Sequence, residues 1–169
     1  MKTTIPVPPE TVLPVTPLLP GAPAYKMAEQ VHHQIAQLAF EIFCESGRTE
    51  GHALRDWCKA EAQLLEPVTV DLEQSKPEFI VHARLRGFAA GEVELSADSR
   101  HLFIAAEHTA VRSKPGREAG RPNRVFRIVE LPFEIDSRAG TAFLSKEGLD
   151  VVLPRIITLH HRQAVAKAA

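Results

Sequence analysis

From Pro67 onward the hydrophobic period of this chain changes from three-to-four residues to two, and that switch constrains the fold more than any other feature. Val68, Val70 and Leu72 alternate with Thr69 and Asp71, and Phe79, Val81, Ala83 and Leu85 alternate with Ile80, His82 and Arg84. Val93 and Leu95 alternate with Glu92 and Glu94, and Leu102 and Ile104 flank Phe103. Further runs cover 125–131, 141–144 and 149–153. A period of two lines one face of a strand with apolar side chains. Turn residues separate the runs at Ser75-Lys76-Pro77, Arg86-Gly87, Asp98-Ser99 and Glu147-Gly148. Short strands punctuated this way predict a mainly β fold, an antiparallel immunoglobulin-like β-sandwich over residues 67–155.

The preceding segment, 25–66, reads as an N-terminal α-helical hairpin. Val31, Ile35, Leu38, Ala39, Ile42 and Phe43 recur at three- and four-residue steps, one face of a helix. Gly47 is placed to close it in the left-handed region. Leu54, Trp57, Cys58, Glu61, Ala62 and Leu65 fall on one side of a second helix, with Thr49 as its expected N-cap. So small a hairpin needs a further surface to lean on. Trp57 is expected to pack against Ile42, Phe43 or the sandwich.

Residues 1–24 hold seven of the 13 prolines. Proline removes backbone donors and disfavours helix before it, so the arm is expected to be irregular and disordered. Its apolar residues Val7, Val12, Leu13, Val15, Leu18 and Leu19 fit a sticky arm; a plain tail with incidental valines fits nearly as well. Residues 156–169 form a C-terminal tail without an evident structural demand.

Little in the sequence points to catalysis. There is no Gly-rich phosphate loop, HExxH or CxxC, and no nucleophile-elbow pattern. His32-His33 and His160-His161 are adjacent pairs whose members would point in different directions on a helix, and read as solvent-facing. Cys44 and Cys58 read as inert buried thiols, or as a redox-sensitive pair if their helices meet. The basic stretch with Arg112, Lys114, Arg117, Arg121 and Arg124 lacks interleaved aromatics. With a formal net charge of −1, nothing pulls the chain toward nucleic acid or anionic membrane. No apolar run approaches the ~20 residues of a membrane span, and MKTTIPVPPE lacks a signal-peptide core. No enzyme, no cofactor, no metal and a cytoplasmic location are the expectations.

Two resemblances follow. Gly47, Arg48, Asp56, Trp57, Ala60 and Glu61, behind an amphipathic helix, resemble a short bacterial helical domain of unknown function, over about 31–65. Residues 67–155 resemble the α-crystallin domain of small heat-shock proteins. Leu85-Arg86-Gly87-Phe88 before Glu92-Val93 resembles the family's Leu-Pro-Gly-Phe segment, with Arg86 in place of Pro. Leu102-Phe103-Ile104 and His108 follow in family order. So do Arg127, Leu131-Pro132 and Ile135-Asp136, then Ala142, Gly148-Leu149, Val151 and Leu153-Pro154-Arg155. The segment 110–123 stands where many bacterial members carry a strand exchanged between subunits. Its Pro115, Gly116, Gly120 and Pro122 suit a mobile loop better.

The resemblance implies an α-crystallin-type sandwich acting as an ATP-independent holding chaperone. Its partners would be partly unfolded client proteins and further copies of itself, in a dimer or larger oligomer. It also implies a groove between the strands at 92–96 and 141–145, with Val93, Leu95, Ala142 and Leu144 as candidates. The plainer reading is that these four fill the sandwich core. Arg127 resembles the family's subunit-interface arginine; a solvent-facing strand residue is the other reading. Ile157-Thr158-Leu159 resembles the tail motif that fills a neighbour's groove, through Ile157 and Leu159. Its tether of three residues reaches only about 10 Å, at about 3.3–3.6 Å per residue. A second functional class stays open: a docking adaptor that uses the sandwich and hairpin as binding surfaces.

Overall fold

The computed structural model describes residues 11–108 and 124–156. Nine strands and two α-helices are described: β1 Thr11–Pro14, β2 Thr16–Pro17, α1 Pro23–Glu45, α2 Ala53–Leu64, β3 Val70–Gln74, β4 Glu78–Ala83, β5 Val93–Ala97, β6 His101–Glu107, β7 Arg124–Glu130, β8 Thr141–Leu144 and β9 Leu149–Pro154. They form two facing sheets, ordered β1-β8-β9-β4-β3 and β2-β5-β6-β7. Every pairing is antiparallel except β2 with β5. The expected β-sandwich with an N-terminal helical hairpin is what the chain forms.

Alternation builds the core. Phe79, Val81 and Ala83 of β4 face inward with Leu149, Val151 and Leu153 of β9, and meet Leu95, Leu102, Ile104 and Val125 from the other sheet. Gly148 shows how closely the β8–β9 turn is packed. A Cβ there would lie 2.5 Å from the carbonyl oxygen of Ala83, so only glycine fits without backbone movement. At Gly87 the backbone takes φ 85°, turning the chain between buried Leu85 and Phe88.

The hairpin leans on the outer face of the second sheet. Val31, Ile35, Ala60 and Leu65 make its own small core, completed by Trp57 and by Phe126 of β7. Trp57 is half-buried, its ring 4.8 Å from that of His32. Gly47 closes α1 as expected, with φ 82°. Two details of the sequence reading need correcting. Thr49 does not cap α2, which begins at Ala53 after His52, and its hydroxyl instead donates to the Ser46 carbonyl, 3.4 Å away. The buried side of α2 is also rotated: Asp56 and Ala60 point inward, whereas Leu54 and Cys58 are exposed. The expectation of two buried thiols fails at Cys58.

At its start, α1 is pinned to the sandwich. The Tyr25 hydroxyl donates to Asp98 Oδ2 at 2.9 Å, and the Tyr25 ring stands edge-on to Phe103 at 5.4 Å. Asp98 Oδ1 accepts from the N–H groups of Arg100 and His101, both at 2.7 Å, which shapes the β5–β6 turn.

Candidate functional site

Without the arm, each sheet would end on the same side of the sandwich in an open edge, β8 in one and β5 in the other. Residues 11–17 close both. In β1, Thr11 to Pro14 run antiparallel to β8, with Val12 opposite Phe143 and Leu13 opposite Ala142. The chain then crosses to the other sheet, where Thr16 and Pro17 run parallel to β5, opposite Ser96 and Ala97. The Leu18 N–H extends this pairing to the Ala97 carbonyl at 2.8 Å.

Only alternate side chains of this segment enter the protein. Leu13 and Val15 are buried at 7% and 6% exposure, in the same core as Leu95, Ala142 and Leu144, whereas Val12 is 62% exposed. The expectation of an irregular, disordered arm over 1–24 therefore gives way at Thr11–Pro14 and Thr16–Pro17, which are paired strands, and at Pro23, where α1 begins. The physical reason is that an edge strand tolerates proline where the missing N–H would face outward. The signal was present as Leu13-x-Val15, one apolar residue at every second position.

The four groove candidates all lie along this slot. Leu95, Ala142 and Leu144 are buried in the common core, and Val93 is half-buried against it. Gly140, missed in the sequence, shapes its floor: a Cβ there would lie 3.1 Å from Val15 Cβ and from Leu153 Cδ2. Arg127 sits on β7, the last strand of its sheet among the described residues, opposite Ile104 in register. It is exposed and has no ion pair among the described residues. Ile157 and Leu159 lie outside the described residues, as does the segment 110–123. The chain reaches the tail through Arg155, whose guanidinium packs 4.3 Å over the Phe133 ring and donates to the Ser75 carbonyl at 3.0 Å.

A second concavity of about 950 Å³ lies where α1 and α2 meet β7, lined by Val31, Ile35, Trp57, Phe126, Arg127 and Ile128. On the hairpin's outer side, Phe40 and Leu54 are 64% and 77% exposed.

Of the groups whose titration is shifted, Asp98 and Tyr25 lie at the end of β5, and His82 lies on β4, two strands away from β8. Burial opposes ionisation of Asp98, but hydrogen bonds from the Arg100 N–H, Tyr25 and His101 outweigh it and hold its carboxyl below the ordinary range. Burial and the neighbouring Asp98 push the Tyr25 hydroxyl up. His82, on β4, is raised by its hydrogen bond to Asp150 at 2.7 Å against some desolvation, with Glu73 adding to the rise. Among the described residues no group of three or more His, Cys, Asp or Glu is placed to hold a metal ion. No helix of the described residues is long and apolar enough to cross a membrane.

Comparison with known proteins gives two findings. The family described as "Protein of unknown function (DUF2934)" matches residues 30–66, the hairpin. No curated protein sequence matches. Solved structures similar to this chain include heat shock protein 16.0 from Schizosaccharomyces pombe, 25% identical, covering 61% of this chain and 99% of that one at a TM-score of 0.47. A small heat-shock protein from Xylella fastidiosa is 24% identical and covers 58% of this chain and 94% of that one, TM-score 0.48. The Del-C4 mutant of hsp14.1 from Sulfolobus solfatataricus P2 is 18% identical and covers 60% and 84%, TM-score 0.49.

Proposed function

We propose that this protein is an ATP-independent holding chaperone of the small heat-shock type, which binds partly unfolded proteins in the slot between β5 and β8 and limits their aggregation. The observation that carries this reading is the slot itself. Two sheet edges with apolar side chains behind them are closed by a single short segment, of which only Leu13 and Val15 are buried. An extended, partly unfolded chain offers the same features, backbone donors and acceptors with an apolar side chain at every second position. The ordered series of α-crystallin-like pieces from Leu85 to Arg155 supports the same reading. Val93, Leu95, Ala142 and Leu144 are then the client-contacting residues, and Arg127 lies at a contact between copies in a dimer or larger assembly. Such a chaperone works without nucleotide, in the cytoplasm. Suppression of light scattering by a heat-unfolded client, without nucleotide, tests it.

A second reading, a docking adaptor, is favoured by the hairpin. The exposed Phe40 and Leu54, with the cleft beside Trp57, offer an anchoring surface that holding does not require. A stable one-to-one complex with one folded partner, without aggregation suppression, distinguishes the adaptor.

A further inference from the structure

We propose that the α1–α2 hairpin is a hinged cover, which lifts as a folded unit from the outer face of β5, β6 and β7 while the sandwich stays intact, and so hides or presents a second apolar surface. That face lies outside the slot, and neither the chaperone nor the adaptor reading is needed for it.

The covered face is unusual for a sandwich, whose strands ordinarily turn polar residues outward. In β6, Leu102 and Ile104 enter the core, yet Phe103 and Ala105 on the outward side are apolar as well. Phe126 and Ile128 of β7 stand opposite Ala105 and Phe103 and extend the same outer face. Sheet strands that are apolar on both faces belong under a cover. Here the cover is the hairpin. Phe103 is 5% exposed with the Tyr25 ring edge-on to it, and Ser96 of β5, beside Ala24 and Met27, is 4% exposed.

The cover fits its face loosely. Concavities of about 950, 190 and 110 Å³ lie along the seam, each lined by residues of both the hairpin and the sheet. Side chains that border a void lack packing partners on that side, so such a seam is held less firmly than a filled core. Within the hairpin the packing differs. Ala60, between the helices, is fully buried, and Val31 and Ile35 are each 5% exposed. The hairpin is also a sequence module in its own right, since the family match covers 30–66 and stops before β3.

Both connections to the sandwich are short and non-helical. Ahead of α1 the chain turns at Gly21, with φ 81° and open space around it. Behind α2 it becomes extended at Leu65, and the Glu66 N–H donates to the Arg124 carbonyl at 2.8 Å, which makes a rear pivot. The front is latched by Tyr25, whose hydroxyl donates to Asp98 at 2.9 Å. The Arg124 side chain also donates to Gln34 at 3.3 Å, in an exposed position. Two short tethers keep the lifted hairpin beside its face at high effective concentration, so closure is recovered without reassembly.

The test reads the opening with single thiols in the full-length C44S/C58S chain, modified by iodoacetamide and followed by mass spectrometry. Ser96→Cys places a nearly isosteric thiol under α1, and Val151→Cys places one in the sandwich core, at a position with 0% exposure. Below the melting transition S96C should be modified at least tenfold faster than V151C, and its rate should rise less steeply with urea, because less surface opens. Equal rates with equal urea dependence would make the hairpin an integral layer and overturn the cover. Adding Tyr25→Phe should speed S96C modification at least threefold, and an unchanged rate would overturn the latch. Should S96C not fold by circular dichroism, Val31→Cys, on the hairpin's side of the seam, takes its place. Amide exchange of residues 31–42 in the wild-type chain tests whether the unit stays folded. Those amides should be protected at least tenfold beyond the opening that S96C reports. Exchange at the same opening frequency would mean that the helices melt instead of lifting, and would overturn the hinged cover.

Discussion

Val15 seats its Cβ 3.1 Å from where a Cβ on Gly140 would stand, so the residue before β8 and the arm are fitted to one another. Gly140→Ala should press on both Val15 and Leu153. Overpacking of this kind costs about 1–3 kcal/mol. Because Leu153 ends in a flexible side chain and Val15 belongs to an arm at the edge of both sheets, most of the effect should fall on the arm. Amide exchange of residues 11–17 should accelerate, with little change at β4 and β9. Uniform acceleration across the sandwich would mean that the arm is an integral strand.

Gly148→Ala should be more damaging. Its methyl group would meet a backbone carbonyl, that of Ala83, at 2.5 Å, and no rotamer relieves that. The β8–β9 turn and β4 must separate, so a loss at or above the upper end of about 1–3 kcal/mol is expected in chemical denaturation. An unchanged midpoint would contradict the packing described for this turn.

Tyr25→Phe tests the anchor between α1 and the β5–β6 turn. Loss of a hydrogen bond to a charged acceptor costs about 1.5–3 kcal/mol, toward the lower end where the pair is only partly buried. The sign of the pH dependence follows from Asp98. Its carboxyl is held below the ordinary range in the folded chain, so its contribution is fully present above the unfolded carboxylate pKa. That contribution is lost as pH falls through the depressed folded value. Wild-type stability should therefore decline in the acid range, and Asp98→Asn should flatten that decline. An Asp98→Asn chain with the wild-type acid profile would remove Asp98 from the account.

Arg127→Ala should leave the stability of a single chain within about 0.5 kcal/mol, since the side chain is exposed and without an ion pair among the described residues. Where copies meet over β7 and Arg127 pairs across the contact, breaking that pair costs about 3–5 kcal/mol. Native mass should then fall with the substitution. An unchanged mass would return Arg127 to the solvent.

The strands of the first sheet's centre were legible because one buried face forces alternation. The run at 79–85 and the one at 149–153 coincide with β4 and β9, whose inward residues are fully buried. The hairpin was legible in outline, from the spacing of Val31 and Ile35. The buried side of α2 was not, because it carries Asp56, whose carboxylate accepts from Arg55 at 3.2 Å, and leaves Leu54 outside. Apolar periodicity has no means of assigning a buried carboxylate. The slot was half legible: its walls Leu95, Ala142 and Leu144 stood out as strand residues, whereas its occupant did not. Proline in residues 1–24 reads as a barrier to pairing, yet at an edge only one side of a strand needs donors. That allowance placed Leu13 and Val15 in the core.

The proposed holding activity is tested most directly by light scattering from a heat-unfolded client with equimolar full-length chain and no nucleotide. Scattering should fall steeply relative to client alone. Full aggregation of the client at equimolar or greater protein would contradict it.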